Sequence, residues 1–217
     1  MGIFKRRNKG DEDYEDYEDL EQFDDRAESG AHRGGADEYP ELGPYDEESA
    51  PEDEVPRLDL GSVRVPVPEG AQLQLEFDEE GPLRAVHLVT EIGQFTVGAF
   101  AAPRSGGLWD EIHDELASQL RKDGTAIERA RGEWGQELVG HSDEVMLRFL
   151  GVDGPRWMLR GVVACPPQFA DDATMLLRDI VRSTVVVRGT DPFPVRSQLP
   201  LRLPDELAAH IAEQAEG

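Results

Sequence analysis

Asp110, His113 and Asp114 stand three and four residues apart, so a helix would carry their side chains on one flank. Carboxylates flanking an imidazole can hold a divalent cation once a further ligand arrives from elsewhere. A solvated acidic helix face with one histidine has the same spacing, and no metal ligand is assigned from it. Cys165 closes an apolar run and precedes Pro166 and Pro167. A nucleophilic thiol needs a lowered pKa and a base, and no histidine is near it in sequence, so Cys165 reads as a buried structural thiol. The phosphate-loop, dinucleotide, hydrolase-elbow, H-E-x-x-H and Cys-x-x-Cys patterns do not occur, so no catalytic residue and no cofactor is assigned.

Binding chemistry has more candidates. Arg148, Arg156 and Arg160 flank Asp153-Gly154, a strong hairpin signal, and a hairpin there would gather them into a basic patch, Arg156 and Arg160 sharing a strand face by parity. Pairing with acidic neighbours is the plain reading of these arginines, and docking of the chain's own acidic tail or of an anionic partner is the sharper one. Trp109, Trp134 and Trp157 read chiefly as core, with a ligand cleft at Trp109 and Trp134 as the alternative. Near the N-terminus, Asp13-Tyr14-Glu15-Asp16-Tyr17-Glu18-Asp19 sets Tyr14 and Tyr17 among carboxylates, where aromatic anchors and acids together suit a basic partner.

These residues have to be positioned by recognisable elements. Residues 1–56 carry 20 acidic and 6 basic side chains and only six Leu, Ile, Val or Phe, too little apolar area to offset the entropy of ordering them. They are expected to form a disordered tail. Period-two alternation begins after Pro56, at 63–67 and 73–77, and Pro66 is expected to confine the first run to an edge. Runs at 83–90 and 94–101 follow after short turns, which implies antiparallel pairing.

The period then changes. Trp109, Ile112, Leu116 and Leu120 share one helical face, closed by Gly124, while Asp110, Glu111, Asp114 and Glu115 lie between them. Strands resume at 126–133, 136–139, 145–152 and 156–165, and a second helix runs from about Phe169 or Asp171 to Ser183 with Asp171 and Asp172 at its start. Val185 to Val187 adds a short strand, residues 190–204 wrap the surface, and a short helix follows Pro204. The expectation is α+β: a largely antiparallel β-sheet flanked by two main helices, with a disordered acidic N-terminal tail. Its divisions are a tail over 1–56, a core over 57–204 and a C-terminal helix over 205–217.

The whole chain has 217 residues and a formal net charge of −24, which opposes binding to phosphate backbones, so nucleic acid is not an expected partner. A single cysteine leaves no intramolecular disulfide, and cytoplasmic localisation is expected. No apolar run approaches the roughly 20 residues of a membrane span. Ile3-Phe4-Lys5-Arg6-Arg7 and Lys9 form a short basic start, and peripheral membrane contact through residues 3–9 is the weaker partner expectation beside a protein partner.

Taken together, the basic start, the acidic segment, Gly107-x-Trp109-x-x-Ile112, Gly132-x-Trp134-Gly135-x-Glu137-Leu138 and Asp153-Gly154-Pro155-Arg156-Trp157-x-Leu159-Arg160-Gly161 resemble an uncharacterised actinobacterial domain-of-unknown-function family (DUF3710-like) over about residues 57–204. The 19 Arg against 3 Lys fit a GC-rich source of that kind. The element order is similar to the Mog1/PsbP-like α/β/α sandwich, an architecture that hosts unrelated functions. The resemblance implies no activity and no catalytic residues. The expected function is a noncatalytic interaction or regulatory module recruiting a partner through its acidic tail or core surface. A small-molecule-binding protein or enzyme with a cleft near Trp109 and Trp134 is the alternative.

Overall fold

The computed structural model describes residues 43–79 and 81–209, and the fold is α+β. In chain order the strands are β1 (Tyr45–Asp46), β2 (Arg57–Asp59), β3 (Val63–Pro66), β4 (Gln72–Phe77), β5 (Leu83–Thr90) and β6 (Gly93–Ala101). Helix α1 (Leu108–Lys122) follows, then β7 (Ala126–Gly132), β8 (Gly135–His141), β9 (Met146–Gly154) and β10 (Trp157–Cys165). Helix α2 (Ala170–Arg182) and β11 (Val185–Val186) complete the series, and residues 205–209 are helical.

Seven strands form one antiparallel sheet in the order β4-β5-β6-β10-β9-β8-β7. Four short strands form a second sheet, β1-β11-β3-β2, in which only β1 and β11 run parallel. The two helices lie on opposite faces of the large sheet. Gly161 of β10 gives α2 its close approach, since a Cβ there would stand 2.8 Å from a Val181 methyl. Gly151 of β9 does the same for α1, whose Trp109 ring lies 2.1 Å from where a Cβ would be. Gly151 pairs with Arg160, one residue out of phase with Gly161, so the two contacts fall on alternate faces of the pleat. The main core lies under α2, where Phe95, Leu159, Val163, Leu177 and Val181 join Val63, Val65 and Val186 of the small sheet. A smaller cluster of Leu108, Trp109, Met158 and Ala102 lies under α1.

Several expectations are corrected by this pairing. Strand β3 is internal, between β11 and β2; Pro66 is tolerated because β11 pairs only with Val63 and Arg64 and leaves the proline nitrogen unopposed. The α1 stripe is rotated, so that Leu108, Trp109, His113 and Ala117 are buried while Ile112, Leu116 and Leu120 are half-buried. The β9–β10 turn is not at Asp153-Gly154. Gly154 pairs with Trp157, and Pro155 and Arg156 make the turn. Proline fixes the first central φ and Arg156 takes φ 62°, the pattern of a type II turn, while Gly154 remains in the strand beneath the Trp157 ring.

Residues 43–56, grouped by composition with the tail, contribute to the fold. Tyr45 pairs with Val185, and the Asp46 carboxylate accepts the Trp157 indole N–H at 2.7 Å. Their apolar content is low because the strand is two residues long and is held by polar contacts.

Candidate functional site on the open half of the sheet

Helix α1 lies across β7, β8 and β9 and also covers Met158 at the start of β10, so what is left open on this face is β4, β5 and the stretches of β6 and β10 around Gly98 and Arg160. The pairing between β5 and β6 runs only from Thr90 opposite Gly93 to His87 opposite Thr96. Beyond that point the strands part, and the chain near its C-terminal end enters the gap. Leu199 N donates to Ala99 O at 2.8 Å and Ala101 N to Ser197 O at 2.9 Å, while the Gln198 side chain donates to Arg84 O at 2.8 Å. Arg196 fastens this segment to α1 through Glu111 at 2.8 Å and Glu115 at 3.0 Å. A depression of about 280 Å³ opens where the strands part, lined among others by Glu76, His87, Thr96, Gly98, Phe100 and Arg160.

Strand register puts these groups together. Arg160 of β10 stands opposite Gly98 of β6, and Thr96, two residues earlier, stands opposite both His87 and Val162. Glu76 reaches the same face from β4, opposite Ala85. Gly98 leaves space on the floor, because a Cβ there would meet nothing nearer than Gln198 at 3.7 Å. His87 joins a chain across three strands, with Nδ1 2.7 Å from Thr96 Oγ1 and Nε2 3.1 Å from Glu76 Oε2. Glu76 also pairs with Arg84 at 3.4 Å.

Arg160 differs from these neighbours. Its guanidinium lies 4.7 Å from the centre of the Phe100 ring, and it makes no hydrogen bond or ion pair among the described residues. Burial pushes its pKa below the ordinary guanidinium value, although arginine remains charged. A partly desolvated cation with its N–H groups unspent, on an apolar floor, has the chemistry to take a carboxylate or phosphate that accepts two N–H bonds. The Glu76–His87–Thr96 chain has the order orienter, base and hydroxyl found in nucleophilic sites. Thr96 is in mid-strand, however, with pairing on both sides, so neighbouring backbone N–H groups are committed to the ladders and supply no oxyanion pair.

The other sequence candidates are dispersed. Tyr14 and Tyr17, like residues 3–9, lie outside the described residues. Trp109 is buried under α1, donating to Gln136 O at 2.7 Å, and Trp134 packs against the α2-side core, donating to Gly43 O at 2.9 Å. They belong to separate clusters and line no common depression among the described residues. Arg156 is in the β9–β10 turn, where its carbonyl accepts from Ala102 N at 3.0 Å. Arg148 stands opposite Val163 on the α2 face, away from Arg160, and bonds the buried Glu137, which also takes Arg178 at 3.0 Å. The three arginines therefore form no single patch.

His113 is buried with Nδ1 3.3 Å from Asp114, which Arg129 holds at 2.7 Å, and Asp110 is exposed. No group of three metal-ligating side chains is present among the described residues. Burial pushes the Cys165 thiol up, the wrong direction for a nucleophile. The sequence reading missed Glu76, His87, Thr96 and Glu137. Glu137 carried a signal, a lone acid entering an apolar strand run; the other three meet only through the register of separate hairpins.

The fold is that of an α+β domain whose large sheet carries a depression on one face. A family match spans residues 43–210, and the chain belongs to the family described as Protein of unknown function (DUF3710). Neither the curated proteins nor the solved structures hold a match to this chain. No helix among the described residues is long and apolar enough to cross a membrane.

Proposed function

We propose that the chain is a noncatalytic binding module that engages an anionic group through the open half of its large sheet. The observation that carries this is Arg160, half-buried against Phe100 in the depression, its side chain without a hydrogen bond or ion pair among the described residues. A guanidinium held against an aromatic ring with no acid beside it keeps its N–H groups for water or for a ligand, and an anionic group seated in the depression would complete it. The cleft at Trp109 and Trp134 is replaced in this reading by the depression at Arg160. The acidic segment with Tyr14 and Tyr17 is the second proposed contact, resting on its composition. Cytoplasmic residence and an actinobacterial source belong to the same reading, supported by the lone buried Cys165 and by the 19 Arg against 3 Lys.

Calorimetric titration of the full chain with phenylacetate tests the anion site. Saturable binding that weakens at least tenfold in Arg160→Gln is the expected outcome. Equal binding by both chains would place the ligand elsewhere and overturn the reading.

A further inference from the structure

We infer that the ligand of this depression is a carboxylate that also carries a hydrogen-bond donor, a hydroxyl or amine, beside a small apolar body. The inference rests on the anion reading of Arg160 and adds to it the chemistry of Thr96. Nε2 of His87 faces Glu76 Oε2 at 3.1 Å. A carboxylate only accepts, so Nε2 carries the proton. In the neutral ring Nδ1 is then the acceptor, and the Thr96 hydroxyl, 2.7 Å away, donates to it. The threonine proton is thereby committed, and what Thr96 offers to the depression is lone pairs. Glu76 is in turn held by Arg84, which fixes the far end of the chain.

The depression thus has a donor side and an acceptor side. Arg160 supplies N–H groups without acceptance, and Thr96 supplies acceptance without an O–H. The two are diagonal neighbours on adjacent strands, about 7–8 Å apart along the sheet, and both line the depression, Arg160 with its guanidinium over the Phe100 ring. A carboxylate and a hydroxyl on adjacent or next-adjacent carbons answer that arrangement. Phe100, Phe149 and Val162 line the same depression and offer apolar surface to the remainder of the ligand. An inorganic anion or a plain carboxylate would satisfy Arg160 alone and leave the Thr96 oxygen unpaired in a partly desolvated place.

Mandelate and phenylacetate differ by one hydroxyl and serve as the probe pair. Each enantiomer of mandelate, and phenylacetate, is titrated into the full chain by calorimetry. One mandelate enantiomer is expected to bind roughly three- to tenfold more tightly than phenylacetate. Thr96→Val, isosteric and suited to a strand, should remove that preference, the mandelates and phenylacetate then binding alike. Gly98→Val, which fills the floor opposite Arg160 while keeping both polar side chains, should weaken all the probes with the fold intact by circular dichroism.

Equal affinity for mandelate and phenylacetate in the intact chain would overturn the hydroxyl inference and leave the anion site standing. Phenylacetate binding with no enantiomer of mandelate bound would do the same. Absence of binding by every probe would overturn both. A preference that survives in Thr96→Val would show that another group reads the hydroxyl, and would overturn the role of Thr96.

Discussion

Arg148 and Arg160 stand on neighbouring strands of one sheet, both largely removed from water, and face opposite layers. Arg148 is covered by α2 and meets Glu137, which also takes Arg178 from that helix, so its charge is paired, although its Nε–H has no partner among the described residues. Arg160 lies where α1 does not reach and meets only an aromatic ring. The same residue type therefore performs two tasks, and the position of the helices decides between them. One face is finished as a core, and the other leaves a guanidinium beside an open depression.

That contrast predicts opposite responses to removing charge. Glu137→Ala would leave two arginines without their shared acid, and a loss of about 3–5 kcal/mol is expected in urea denaturation. A loss below about 1 kcal/mol would show that the Glu137 pairing does not hold α2. Asp153→Ala comes next. Its Oδ1 caps α1 by accepting from Leu108 N at 3.1 Å and Trp109 N at 3.3 Å, and its loss should cost about 1–2 kcal/mol in the same measurement.

Arg160→Leu should change stability little or raise it by about 1 kcal/mol, because an apolar side chain there has no unpaired charge to desolvate. The same variant should lose phenylacetate binding, and a strong destabilisation would instead mark Arg160 as structural. The smallest effect concerns Cys165. Burial raises its folded pKa, so the unfolded chain ionises first. Its contribution is complete below the ordinary thiol value of about 8.5 and is lost as pH rises from there through the folded value. Intact protein should therefore lose stability relative to Cys165→Ala over that range, as followed by thermal unfolding.

The elements were legible because their signals are local. Alternation in Gln72–Phe77 and Leu83–Thr90, the helical period beginning at Trp109 and the apolar stripe of α2 each show within a dozen residues, and the structure places a strand or helix at each. What was missed depends on distant partners. The α1 cap comes from Asp153, 45 residues away, which allows Gly107 to stand where a Ser or Asp was to be expected. The stripe rotates toward His113 because the Trp109 ring must lie over Gly151, a close approach that neither segment states alone. Asp153-Gly154 reads as a turn until Pro155 is considered, since a residue with φ fixed near −65° takes the first central position of the tight turn.

The candidate site was the least legible part. Arg160 was singled out for parity with Arg156, and the structure gives it instead the company of Phe100, Thr96 and His87. Those three are ordinary members of alternating strands in sequence. Their meeting follows from the point at which β5 leaves β6 and the chain around Gln198 fills the gap, a tertiary event with no local mark.

The central claim is that Arg160 is an anion receptor, and the most direct measurement is on its own Nε–H. This resonance is identified by its disappearance in Arg160→Gln and followed by nuclear magnetic resonance as phenylacetate is added to the intact chain. A saturable shift of the Arg160 signal, with those of Arg148 and Arg178 unmoved, is the predicted result. An Arg160 signal that stays in place while phenylacetate shifts resonances elsewhere would contradict the claim.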